Sequence, residues 1–195
     1  IEAAGPRGAL RGTVCESGRA GAGLALIHPG SGPTDRDGNN PLGVTAGAYR
    51  LLAHDLAARG VDTLRIDKRG LFGSVAAGDP NAITLEDYAR DVRAWLDALG
   101  RDRVALIGHS EGGLSVMQAA LGEPRVGALV LLATPGRRLA EISRAQFRSN
   151  PFFAAVLAQA LAATDALERG AAVDPARLPA ELRAQFPAPA QGFLI

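Results

Sequence analysis

The sequence predicts an α/β fold in three layers, a mostly parallel sheet with helices on both faces. Three observations carry that prediction. The compact apolar runs Leu24–Ile27, Val104–Ile107 and Val126–Ala133 have the length of buried parallel strands and, with the short strand Val61–Ile66, alternate with stretches of helical period. The connections between them are short, as right-handed crossovers require. The run from Val104 breaks into Gly108-His109-Ser110-Glu111-Gly112 and resumes as a helical segment, the pattern of a serine raised on a sharp strand-to-helix turn.

Taken in order, Ala9–Glu16 alternates weakly and reads as an edge strand, and Gly21–Gly23 as a turn. Leu24–Ile27 is a central strand that ends in His28-Pro29-Gly30-Ser31-Gly32-Pro33-Thr34-Asp35-Arg36-Asp37-Gly38-Asn39-Asn40, a loop by composition. Tyr49, Leu52, Ala53 and Leu56 recur at helical spacing until Gly60 stops them, and Val61–Ile66 follows as a strand. After the loop Asp67-Lys68-Arg69-Gly70-Leu71-Phe72-Gly73-Ser74, Thr84 and Asp87 form a capping box. Behind it Leu85, Tyr88, Val92, Trp95, Leu96 and Leu99 line one helical face. From residue 137 only helical patterns remain: Leu139–Phe147, Pro151–Ala163 and Pro179–Phe186. The expected division is a core over 1–136 and a helical, cap-like segment over 137–195. In the middle helix Phe152, Phe153, Val156, Leu157, Ala160 and Leu161 form one apolar stripe, which packs on the core or covers an acyl-binding pocket; Phe152 and Phe153 are the substrate-facing candidates.

Composition narrows the function classes. The 195 residues suit one domain with a sizeable core, and 47% hydrophobic with 21% charged residues is ordinary for a soluble globular protein. The net charge is +1, acidic residues are interleaved with basic ones, and Lys68 is the only lysine, which argues against nucleic acid or an anionic membrane as the main partner. No apolar run reaches the length of a membrane span. Cys15 is the only cysteine, so no intrachain disulfide forms and the compartment, cytoplasmic or periplasmic and secreted, stays open. Oligomeric state is equally open. No metal site is expected, because no histidines or cysteines are spaced for one. The Gly-Ser-Gly loop lacks the phosphate-cradle pattern, and no cofactor is expected.

Four stretches, Pro29–Asn39, Asp67–Gly70, Gly108–Gly113 and Ala133-Thr134-Pro135-Gly136, resemble in content and order the bacterial α/β-hydrolase-fold esterases of the serine-aminopeptidase-like group. The resemblance implies a small-molecule ester or amide substrate and a Ser-Asp/Glu-His triad acting by acyl transfer. It makes Ser110 the nucleophile, and the backbone N–H groups of Glu111 and Ser31 the oxyanion hole. Many relatives carry His-Gly where this chain has Pro29-Gly30, with His28 one residue earlier; a backbone donor does not depend on that histidine. Asp67–Gly70 is expected to fix its loop by hydrogen bonds, and Asp35, Arg36 and Asp37, the most exposed-looking charges near the oxyanion loop, to order it.

The acid and base are not found where the resemblance puts them. None of His28, His54 and His109 follows Ser110; His109 is expected to point away from the base position and His54 to lie at a solvated helix edge. Asp165 and Asp174, the only aspartates after the elbow, fall in the cap-like segment. The segment from Phe186 to Ile195 resembles the point at which relatives leave the cap for the sheet. The expectation is therefore the front part of a longer hydrolase, with little turnover on its own. An aminopeptidase or amidase of the same mechanism, a non-catalytic binding module of the same fold, and a second chain supplying the histidine are the alternatives.

Overall fold

The computed structural model describes residues 1–41, 43–80, 83–188 and 191. Among them six strands form one sheet: β1 (Glu2–Gly5), β2 (Gly8–Cys15), β3 (Gly23–His28), β4 (Val61–Ile66), β5 (Val104–His109) and β6 (Val126–Leu132), in the order β1-β2-β4-β3-β5-β6. β3 is parallel to both β4 and β5, and β5 to β6, whereas β2 is antiparallel to β1 and β4. Leu26 at the centre pairs with Leu64 on one side and Leu106 on the other.

Helices α1 (Ala48–Ala58), α2 (Leu85–Leu99) and α3 (Glu111–Ala120) complete the first of two compact units, which comprises the described residues of 1–80 and 85–134. Because successive side chains leave a strand on opposite faces, the apolar runs feed two cores at once. Leu24, Leu26, Leu64 and Leu106 pack with Val92, Trp95 and Leu96 of α2 and Val116 of α3. Ala25, Ile27 and Ile107 pack with Tyr49 and Ala53 of α1. The three layers follow from that alternation.

Two strands differ from expectation. β2 is not the edge, since β1 lies outside it; four residues of Glu-Ala-Ala-Gly carry too little alternation to be read as a strand, yet a hairpin closed at Gly5 and Gly8 pairs them. β6 has the continuous apolar run of a strand buried on both faces, but Ala128–Leu132 are all exposed. Its run is paired on one side only, with β5.

The second unit comprises Ile83, Thr84 and the described residues from Pro135 onward. It holds α4 (Leu139–Ser149), α5 (Leu157–Glu168) and α6 (Ala180–Arg183), α4 and α5 being tied by Arg144 to Asp165 and Glu168. The expected single helix from Pro151 is broken: Pro151–Val156 is a 3₁₀ turn started by Asn150, whose side chain accepts from the Phe152 N–H, and α5 begins only at Leu157. In a 3₁₀ turn residues three apart eclipse. Phe153 and Val156 therefore align and are buried with Phe147, Ala160, Leu182 and Phe186, while Phe152 falls off the stripe and is 65% exposed. Residues 192–195, at the expected return to the sheet, lie outside the described residues. Among the described residues no helix is long and apolar enough to cross a membrane.

Candidate active site

β5 delivers the chain to Ser110 and α3 carries it away, so Ser110 must reverse direction within one residue. It does so at φ 52°, ψ −121°, a region costly for any residue with a Cβ and held only where the surroundings over-determine it. The Ser110 N–H donates to the Leu132 carbonyl at 2.8 Å, and its carbonyl accepts from the Gly113 N–H at 2.9 Å. Glycines make the turn feasible. A Cβ on Gly108 would lie 2.4 Å from the Gly112 carbonyl oxygen, one on Gly112 the same distance from the Pro29 oxygen, and one on Gly113 1.8 Å from Thr134 Oγ1. The small residues of the motif are thus spaces for neighbouring backbone.

The loop after β3 closes over the elbow: a Cβ on Gly30 would meet His109 Nδ1 at 2.9 Å and the Ser110 Cβ at 3.4 Å. Gly30 is held at both ends. Its N–H donates to the Tyr49 hydroxyl at 3.2 Å, and its carbonyl accepts from Lys68 Nζ at 2.6 Å. The Tyr49 hydroxyl also shares a hydrogen bond with His109 Nδ1, 2.8 Å away. The His109 imidazole is thereby tied through Nδ1 to the Tyr49 hydroxyl. Neither the Ser31 N–H nor the Glu111 N–H has a hydrogen-bond partner among the described residues. Ser31, Tyr49, His109 and Ser110, with Thr34, Asn40 and Leu132, line a cavity of about 410 Å³.

Charges behind this cavity are consumed in holding the loops. Asp35 accepts from the N–H groups of Asp37 and Asn39, and the Asp37 carbonyl from those of Tyr49 and Arg50, so the loop caps α1. Arg36 forks onto Asp67, which also takes the Gly73 N–H, and Arg65 pairs with Asp37. Asp35, Arg36 and Asp37 are half-buried rather than exposed. Arg69 is buried against Asp91 and Asp87 of α2. Burial pushes the Asp91 carboxyl up while the Arg69 guanidinium pulls it back. The Lys68 ammonium, 2% exposed, is pushed down by burial and held up by Glu111, whose Oε1 lies 3.4 Å away.

No described histidine serves Ser110, whose hydroxyl makes no hydrogen bond among the described residues. His28 ends β3 in the core, its Nδ1–H on the Pro29 carbonyl at 3.0 Å, and burial pushes it down to about 4. His54 is exposed on α1. His109 lines the same cavity as Ser110, and its imidazole is held by Tyr49. Asp165 pairs with Arg144, and Asp174 caps the short 3₁₀ turn Pro175–Arg177. Sequence reading missed Tyr49 and the reach of Lys68; on the sequence Tyr49 is one more apolar position of a helix, and nothing local marks its hydroxyl. A second cavity, about 480 Å³, lies within the second unit between Phe147, Phe153, Leu167 and Phe186.

The family described as alpha/beta hydrolase fold matches residues 27–190. The chain belongs to the α/β-hydrolase-fold family. Like other members it has relatives with differing names. A Variovorax paradoxus protein named as a carbamate hydrolase, RutD, is 38% identical over 113 residues, 56% of this chain and 42% of that protein. The bifunctional epoxide hydrolase 2 of Sus scrofa is 32% identical over 138 residues, 65% of this chain and 24% of that protein. Among solved structures, the proline iminopeptidase of Mycobacterium smegmatis superposes with a TM-score of 0.60 over 87% of this chain and 54% of its own, at 18% identity, a likeness of fold alone. The chain spans less than half the length of these two sequence relatives.

Proposed function

We propose that Ser110 is the nucleophile of a serine hydrolase that cleaves small or medium carboxylic esters through an acyl-enzyme. The observation that carries this reading is the Ser110 backbone: a strained φ of 52° at a non-glycine residue, between glycines that leave no room for side chains, has a use if the hydroxyl must stand clear of the turn. Attack on the ester carbonyl puts charge on its oxygen. The N–H groups of Glu111, at the start of α3, and of Ser31, without a partner among the described residues, supply the donors that charge needs. Collapse expels the alcohol, and water then releases the acid.

This reading assigns the base and its orienting acid to groups outside these 195 residues, since His28 is buried, His54 is exposed on α1 and His109 is already bonded. Of the two aromatic candidates within the second unit, Phe152 rather than the buried Phe153 is the ring open to a ligand. An aminopeptidase would hold its substrate's ammonium with a carboxylate; none lines the 410 Å³ cavity among the described residues, which favours the ester.

The test uses the full-length natural protein. A fluorophosphonate probe should label it and not its Ser110→Ala variant, and it should turn over p-nitrophenyl acetate faster than an aminoacyl anilide. Faster anilide cleavage supports the peptidase; an unlabelled, inactive wild type supports a binding module. The 195-residue chain alone should keep only the residual acceleration of an oxyanion hole without a base, about 1000-fold over water.

A further inference from the structure

We propose that Lys68 is a positioning residue of the oxyanion hole, its ammonium orienting and polarising the Gly30–Ser31 amide whose N–H receives the transition-state charge. The inference rests on the serine-hydrolase reading above, which makes the Ser31 N–H a donor. Lys68 itself touches no substrate.

A trans peptide is planar, with its C=O and the following N–H pointing in opposite directions. No described peptide bond is cis. Whatever grips the Gly30 oxygen therefore sets the direction of the Ser31 N–H. Lys68 Nζ grips it at 2.6 Å, and Tyr49 holds the preceding N–H at 3.2 Å, so the planes on both sides of Gly30 are fixed. Among the described residues the Ser31 N–H is left without a partner. A charge-assisted bond to the carbonyl also draws density from the amide nitrogen, which makes that N–H a stronger donor. The same ammonium lies 3.4 Å from the carboxylate of Glu111, the residue whose N–H is the second donor, and 5.4 Å from the centre of the Tyr88 ring. One buried cation thus touches the segments that carry both donors.

The residue type fits the task. Every other cation of this chain's side chains is arginine, apart from histidine, and Lys68 is the only lysine. A compact ammonium on a flexible stem can meet one carbonyl end-on in a closed space, whereas a planar guanidinium suits a bidentate partner, as Arg69 has in Asp91. A merely structural filler at this place would not need a charge, and burying one is costly.

The experiment compares wild type with Lys68→Met in the full-length natural protein, using p-nitrophenyl acetate and an aryl boronic acid as a tetrahedral analogue. The expected result is a kcat lower by about 10- to 100-fold, less than the roughly 100- to 1000-fold for deleting a donor outright. KM should change by no more than about threefold, and affinity for the boronate should fall in step with kcat. Lys68→Arg should recover part of the loss. A folded Lys68→Met enzyme with wild-type kcat and boronate affinity overturns the inference while leaving the hydrolase reading intact. A wild type that neither turns over nor is labelled at Ser110 overturns both. Should Lys68→Met not fold, the wild type still decides: a coupling across the hydrogen bond between Lys68 Nζ and the Gly30 carbonyl carbon is expected by NMR, with a downfield move of the Ser31 amide proton when Ser110 is phosphonylated. Absence of both rejects the inference.

Discussion

At Gly113 the helix that carries the elbow runs so close to Thr134 that a single methyl has nowhere to go. Gly113→Ala should destabilise the first unit by about 1–3 kcal/mol, the usual cost of overpacking, and Thr134→Ala should recover part of it. Urea denaturation of both single variants and the double checks this; additive losses would contradict the contact. His28 makes a second prediction at this scale. Burial holds its folded form near 4 against an ordinary value of 6.5, so the unfolded chain takes up a proton that the folded one refuses. Its contribution is present above pH 6.5 and is lost as pH falls from 6.5 to about 4. The full shift corresponds to about 3 kcal/mol. His28→Asn, whose amide can still donate to the Pro29 carbonyl, should flatten that part of the stability profile.

At the scale of elements, α2 is anchored by an ion pair as well as by Trp95. Arg69 is 1% exposed, and Asp91→Ala would leave much of its charge buried and unpaired. The expected cost is about 3–5 kcal/mol, read as a lower denaturation midpoint. β6 predicts behaviour of another kind. Leu129, Val130 and Leu131 are each more than 40% exposed on a strand whose outer edge is unpaired among the described residues, an open template for pairing. The 195-residue chain should self-associate, and Val130→Lys should reduce this in light scattering. These elements also show what could be read in advance. β3 and β5 were legible because burial on both faces writes a continuous apolar run. β1 was not, because Glu-Ala-Ala-Gly becomes a strand only by pairing with β2. The break at Val156 was hidden because a 3₁₀ turn and an α-helix share apolar spacings of three residues, differing in the angle each step sweeps.

For the molecule as a whole, the elbow and its loop could be read from Gly-x-Ser-x-Gly, since each small residue answers a local collision. The grip on Gly30 could not. Tyr49 and Lys68 reach it from 19 and 38 residues away, and no sequence period records that distance. The buried ring that anchors α2 has a practical consequence. Trp95 is the chain's only tryptophan, and Tyr49 and Tyr88, its only tyrosines, belong to the same unit. Near-ultraviolet absorption and emission therefore watch the sheet and its helices almost alone, while far-ultraviolet dichroism watches the helices of both units. Two melting curves from one cuvette, overlaid, will tell whether the second unit comes apart with the first or by itself.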